Sequence, residues 1–264
     1  MPTPRVTIGA PAVGDLIAAM RRVPVAYHGR TMTVGEWVDY CKQCVHQWRA
    51  EAGELEIFQR FLAALLERQM SGETYEPRVE HFRERLAHPG KLTIRSAERM
   101  LRNLGYRFWP QGARTMVEFR DLWAELGWSW REYFAVAEGH WATGFLEDPL
   151  LGVKGIGLKT RDFALSEFSD YFCAFDVHIS RLIARTGLLL HGYGDPGLGD
   201  LSYHFLRRLV VRFCREDGFP ERPEALTPAD FDRTLWFFGQ GFCGATAPCA
   251  DCTVASVCLT GQRR

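Results

Sequence analysis

Apolar residues recur at helical spacing along most of the chain. Trp37, Val38, Cys41, Cys44, Val45 and Trp48 form one stripe, and Phe58, Phe61, Leu62, Leu65 and Leu66 form a second that reaches Gln69. Phe205, Leu206, Leu209, Val210 and Phe213 form a third. Each stripe predicts an amphipathic helix with one face against a core, and together they predict an all-α chain. Residues 23–34 break the pattern: two short runs flank Tyr27-His28-Gly29-Arg30 and predict a small β-hairpin. Local signals mark helix starts. Thr33 with Glu36 has the form of a capping box, and Thr227-Pro228 sets a cap before a proline at the first helical position. Residues 192–199 and 217–225, rich in Gly, Pro or charge, read as loops.

Hydrophobic residues make up 47% of the 264, enough for a substantial core. No apolar run is long enough to span a bilayer, and the first residues lack the basic start and apolar stretch of a secretory signal. A cytoplasmic, intracellular protein without membrane contact is therefore expected. In that compartment the eight cysteines are expected to bind metal or pack in the core and not to form disulfides. Net charge is zero, which argues against a generic nucleic-acid binder, but the distribution is uneven. Residues 60–120 hold twelve Arg or Lys against seven Glu, whereas residues 121–150 hold six acids against one Arg. The basic segment suits phosphate contacts, although paired charges on solvated helix faces would look the same.

The sharpest local signal is Cys243-x5-Cys249-x2-Cys252-x5-Cys258, four thiols within sixteen residues. A tight single loop suits a 4Fe–4S cubane, whose irons each take one thiolate. Structural zinc sites more often pair two Cys-x-x-Cys knuckles. Cys41 and Cys44 also form a Cys-x-x-Cys, so a zinc-bound scaffold stays open as the weaker alternative. Their place on an apolar stripe predicts core packing instead.

Residues 151–160 have their own logic. Gly155 and Gly157 bracket Ile156, which allows a tight turn and close approach to a ligand. A helix predicted to start near Leu158 would then offer unpaired N–H groups to a phosphate. Lys159 sits in its first turn, where the helix dipole disfavours a cation. Seventeen residues later, Asp176 precedes Val177-His178-Ile179-Ser180-Arg181; alone, it reads as a helix N-cap.

The order of these features closely resembles the endonuclease III branch of the helix-hairpin-helix DNA glycosylases. Residues 153–160, Val-Lys-Gly-Ile-Gly-Leu-Lys-Thr, match that family's hairpin; Phe175 to Arg181 match its Asp-x-His segment; the helix ending at Gln69 matches the one whose glutamine enters the duplex. The likeness covers residues 56–258. Three departures stand out: Lys154 replaces the usual proline, the first arm of the hairpin is short, and the first cysteine gap is one residue shorter than the family's.

The resemblance implies a two-lobed, all-α glycosylase fold with a C-terminal iron–sulfur loop. Residues 56–168 would be a helical barrel carrying the hairpin, and residues 169–264 a second lobe on which residues 1–55 pack. It implies a monomer acting on double-stranded DNA that contains a damaged base. Lys159, with its basicity lowered by partial burial, would be the nucleophile and Asp176 its proton acceptor or the stabiliser of the sugar cation. Gly155, Gly157, Thr160, His178 and Gln69 would contact DNA. Cys243, Cys249, Cys252 and Cys258 would hold the 4Fe–4S cluster. A lysine at this position implies lyase activity beside base excision. Stretches such as residues 104–108 and 154–159 are similar to archaeal-type 8-oxoguanine glycosylase/lyases, so 8-oxoguanine is the first expected substrate and an oxidised pyrimidine the second. Trp109, Trp128, Trp130 and Trp141 are candidate walls for the flipped base. The rival reading is a non-catalytic DNA-binding or structure-sensing protein that keeps hairpin and cluster for docking.

Overall fold

The computed structural model describes residues 13–27, 29–66, 75–127, 129–141, 148–186, 200–216, 225–244 and 249–262. In chain order they form α1 (Val13–Arg21), a hairpin of β1 (Pro24–Tyr27) and β2 (Arg30–Thr33), α2 (Val34–Glu51), α3 (Glu54–Leu65), α4 (Tyr75–Arg85), α5 (Ile94–Asn103), α6 (Trp109–Glu125), α7 (Trp130–Trp141), α8 (Leu158–Ser166), α9 (Val177–Thr186), α10 (Asp200–Glu216), α11 (Pro228–Gly241) and the short α12 (Leu259–Gln262). The chain divides into two compact units, one of residues 45–174 and one of residues 1–44 with 175–264.

The unit of residues 45–174 is built on α3, whose residues from Ile57 to Leu65 are all buried. The amphipathic stripe expected there is thus a helix covered all round. Its polar residues are accommodated by specific partners. Gln59 donates to the Leu86 carbonyl at 3.2 Å, and the Arg60 guanidinium stacks 3.6 Å over Trp48 while facing Glu56. From α4, Arg78 donates to the Ala63 carbonyl at 3.0 Å. Around α3 lies an aromatic core of Phe58, Phe61, Phe119, Trp123, Trp130, Phe134 and Phe168. Edge-to-face and offset contacts, such as Phe58 against Trp123 at 4.8 Å, favour this packing over simple area burial. Trp130 is 0% exposed within it. It cannot wall a base pocket, because its ring is spent on the core.

In the other unit α11 packs on α9, α1 and α10. Leu16, Ile179, Leu182, Leu206, Val210, Phe231, Leu235 and Phe238 supply its core. The β-hairpin pairs Val25 with Met32 and turns through Gly29, whose φ of 74° suits a residue without Cβ. Thr33 and Glu36 make the reciprocal bonds of a capping box at the start of α2. Thr227 and Asp230 do the same for α11, with Pro228 in its first turn. Asp230 also ties three segments together, since it accepts from Lys42 at 3.0 Å and Arg21 at 3.1 Å. Burial opposes ionisation of Asp230, but the Lys42 charge and the bonds from Thr227 hold its carboxyl below the usual value. Cys41 and Cys44 are half-buried, not in the core as expected. Helix α2 turns Trp37 inward onto Trp236 and Phe237.

Candidate functional site

The segment from Asp148 to Ser166 is a helix-hairpin-helix whose first arm is a single 3-10 turn, Pro149–Gly152. Asp148 caps that turn by accepting from the Leu150 N–H at 2.9 Å. The chain reverses at Val153–Ile156, where the Ile156 N–H reaches the Val153 carbonyl at 3.1 Å. Gly155 has φ of +91°, as the third residue of a type II turn requires. A Cβ there would also sit 2.9 Å from Thr115 Oγ1. Gly157 precedes α8 with no side-chain cap, so the first N–H groups of α8 face outward without an intrahelical partner. That is the arrangement that binds a phosphate oxygen.

Helix α6 holds the turn from behind. Thr115 donates to the Lys154 carbonyl at 2.7 Å, and the Lys154 N–H donates to Glu118 Oε2 at 2.6 Å. The second bond explains why lysine can replace proline at this position. Proline would preset the turn but would remove the N–H that Glu118 binds.

The two arms are fastened beneath the turn by a buried ionic cluster. Arg161 in α8 bonds Asp162 at 2.7 Å and lies 3.5 Å from Asp148. Tyr133 in α7 donates its hydroxyl to both Asp148 oxygens at 2.8 and 2.9 Å. Arg161 is 1% exposed, Asp148 3% and Asp162 0%. Burial raises the Asp148 carboxyl, with the Arg161 charge acting against it. Burial, then the Asp148 charge, pushes the Tyr133 hydroxyl well above its ordinary value. None of these four residues announces itself in sequence beyond the Asp148-Pro149 start of a turn.

Lys159 is the second residue of α8 and its side chain is exposed, contrary to the partial burial expected of it. One residue from the uncapped start of a helix, it is carried outward with the free N–H groups. Thr160 beside it is half-buried. Asp176 belongs to the other unit and is half-buried. Its Oδ1 accepts from the N–H groups of His178 and Ile179 at 2.8 and 2.9 Å, an N-cap on α9. The cap fixes the carboxylate and leaves Oδ2 outside those two bonds. His178 packs tightly on α11, where a Cβ on Gly239 would sit 3.1 Å from the His178 Cβ. Gln69 and Trp128 lie outside the described residues, as does the side chain of Trp141, while Trp109 is half-buried beneath Arg102.

Cys243, Cys249, Cys252 and Cys258 are all half-buried. Burial is the chief cause that raises the Cys252 thiol, against a backbone bond from Val254 that lowers it, and Cys243, Cys258 and Cys249 add to the rise. Among the described residues, no three or more His, Cys, Asp or Glu are close enough to hold a metal ion. Arg185 of α9, not evident from sequence, organises this loop. It donates to Cys243 Sγ at 3.3 Å and to the Gly244 carbonyl at 2.7 Å, while its own carbonyl accepts from Thr260 at 2.7 Å. The donor type, soft sulfurs on one loop with a cation at one of them, suits iron or zinc, while the described spacing is not that of a closed metal site. Among the described residues no helix is long and apolar enough to cross a membrane.

No protein-family model and no curated protein matches the sequence. Solved structures do match the fold. The 8-oxoguanine glycosylase/lyase of Methanocaldococcus jannaschii, in complex with DNA containing 8-oxoguanine, is similar at TM-score 0.59 and 17% identity, over 87% of this chain and 97% of that one. The 8-oxoguanine DNA glycosylase of Thermotoga maritima gives 0.56 and 20%, over 78% and 89%. Endonuclease III trapped as a covalent intermediate with DNA gives 0.56 and 18%, over 88% and 99%. The chain has the helix-hairpin-helix glycosylase fold.

Proposed function

We propose that this chain is a base-excision DNA glycosylase that also cleaves the strand as a lyase. The observation that carries the reading is Lys159, exposed in the first turn of α8 behind a glycine turn that α6 and the buried ion cluster hold in place. The fold likeness to glycosylases, one of them trapped covalently on DNA, supports it. Duplex DNA docks through the uncapped N–H groups of α8 and the turn at Gly155 and Gly157, with Gln69, Thr160 and His178 also in contact. The damaged nucleotide leaves the stack. Lys159 Nζ loses a proton and attacks the sugar C1′; the C1′–N bond breaks and its electron pair departs with the base, which takes up a proton. The attached nitrogen then gives up a proton and its lone pair opens the C1′–O4′ bond, O4′ taking up a proton, and the resulting protonated Schiff base permits loss of a C2′ proton and departure of the 3′ phosphate. Asp176 accepts the lysine proton or stabilises the cationic sugar, its orientation fixed by the cap.

An oxidised base is the substrate, 8-oxoguanine first and an oxidised pyrimidine second. Local likeness at residues 104–108 and 154–159 and the two 8-oxoguanine glycosylases among the structural neighbours favour that order. Cys243, Cys249, Cys252 and Cys258 hold a 4Fe–4S cluster, one thiolate to each iron. These four thiolates would hold the cluster, which would supply a covalent brace for the loop. The test is a panel of lesion-bearing duplexes scored separately for base release and nicking, with borohydride present in a parallel set. A trapped complex on 8-oxoguanine DNA that Lys159→Ala abolishes is the expected result. Nicking by Lys159→Ala at the wild-type rate rejects the nucleophile, and faster cleavage of thymine glycol duplexes reverses the substrate order.

A further inference from the structure

Six cations, Lys91, Arg95, Arg99, Arg102, Arg107 and Arg114, stand against one acid, Glu98, between residues 86 and 117. All six are exposed. Four other arginines of the basic segment are committed elsewhere. Arg60 and Arg78 are buried, Arg83 pairs with Glu56 and Glu80, and Arg120 pairs with Asp121. By contrast Arg95, Arg99, Arg107 and Arg114 make no ion pair among the described residues. The surplus charge of the whole segment therefore concentrates on α5, the start of α6 and the loop joining them.

This face is also partly ordered in advance. The Arg102 guanidinium lies 3.6 Å over the Trp109 ring and 3.7 Å from Glu98, and Arg107 lies 5.5 Å over Phe108. Stacked guanidinium groups lose less freedom when they meet an anion. The face is continuous with the hairpin. Residues 111, 114 and 118 follow one another at helical spacing along α6, with Arg107 in the turn just before it, and Glu118 binds the Lys154 N–H of the hairpin turn.

We propose that the α5–α6 face is a second phosphate-binding surface for duplex DNA, extending along the backbone from the α8 clamp. The proposal rests on the DNA-repair reading for its partner and names where, beyond the hairpin, that partner is held. Such contacts are sequence-independent and act through displaced counterions. They therefore have a direct signature. Each phosphate contact contributes about 0.9 to the slope of log K against log salt.

The test is fluorescence anisotropy of the full chain with an undamaged labelled duplex, across a series of salt concentrations. The variant Arg95→Ala/Arg99→Ala/Arg107→Ala/Arg114→Ala is compared with wild type and with Arg131→Ala, an exposed arginine of α7 in the acidic stretch. The slope is expected to fall by about 3.6 in the quadruple variant and to stay unchanged in Arg131→Ala. Equal slopes for wild type and quadruple variant overturn the proposal. So does a single strand of the same length that displaces the probe better than the duplex does. No base is excised in this assay, so failure of the glycosylase reading leaves its outcome unaffected. Excision by a quadruple variant with an unchanged slope rejects the surface alone.

Discussion

The replacement Arg161→Met probes the ion cluster under the hairpin most directly. It removes the cation that bonds Asp162 at 2.7 Å and faces Asp148 at 3.5 Å, at a site 1% exposed. Methionine fills similar volume, so the main loss is electrostatic. Two buried carboxylates remain, and breaking a buried pair from one side costs about 3–5 kcal/mol. For a chain of this size that lowers the melting temperature by roughly 6–20 °C. The pH dependence follows from the direction of the Asp148 shift. Its carboxyl is already raised by burial, and the Arg161 charge is the chief influence pulling it down. Without Arg161 the folded-state value rises further. A raised carboxyl stabilises fully below its unfolded value of about 3.9, and that contribution is lost as pH climbs through the folded value. The deficit of Arg161→Met against wild type should therefore be small near pH 4.5 and grow toward pH 7.5. Urea unfolding at both values measures it. The triple variant Asp148→Asn/Arg161→Met/Asp162→Asn, with no buried charge, should recover most of the loss at pH 7.5. A deficit under about 1 kcal/mol at pH 7.5, or one equal at both pH values, would refute this account of the cluster.

Gly155→Ala should destabilise by about 1–3 kcal/mol and weaken duplex binding in the same variant, because φ of +91° and the contact with Thr115 both resist a Cβ; thermal unfolding and anisotropy read the two effects. Cys252→Ser should lower the iron content of anaerobically purified protein from about four per chain, whereas Cys41→Ser/Cys44→Ser should not; stoichiometric zinc without iron would count against the cluster. Asp230 has a lowered carboxyl, so its contribution is full above the unfolded value and fades as pH falls through the folded one. The stability gap between wild type and Asp230→Asn should accordingly close between about pH 5 and pH 3 in urea titrations, and a constant gap would show that Lys42 and Thr227 do not favour its ionised form.

Features that depend on a few neighbouring residues were legible in the sequence. Thr33 with Glu36 caps α2, Thr227-Pro228 starts α11, and Gly155 turns the hairpin, because each rests on bonds spanning three or four residues. Asp176 as a cap on α9 is of the same kind. Helical spacing likewise located α2, α3 and α10, and the order of hairpin, lysine, aspartate and cysteines pointed to the fold. Spacing reports only that one face is apolar. It did not reveal that α3 is covered on every side, since Gln59 and Arg60 are buried through partners, Leu86 and Trp48, that lie 27 and 12 residues away. Nor could it separate Trp130, closed in the core, from Trp109, which lies half-exposed under Arg102. The exposure of Lys159, the half-exposed Cys41 and Cys44, and the grip of Arg185 on the cysteine loop came from packing alone. The same holds for the union of Tyr133, Asp148, Arg161 and Asp162. A charge in a sequence carries no sign of its desolvation; only the folded chain decides which carboxylates lose their water and which arginine must follow them inside.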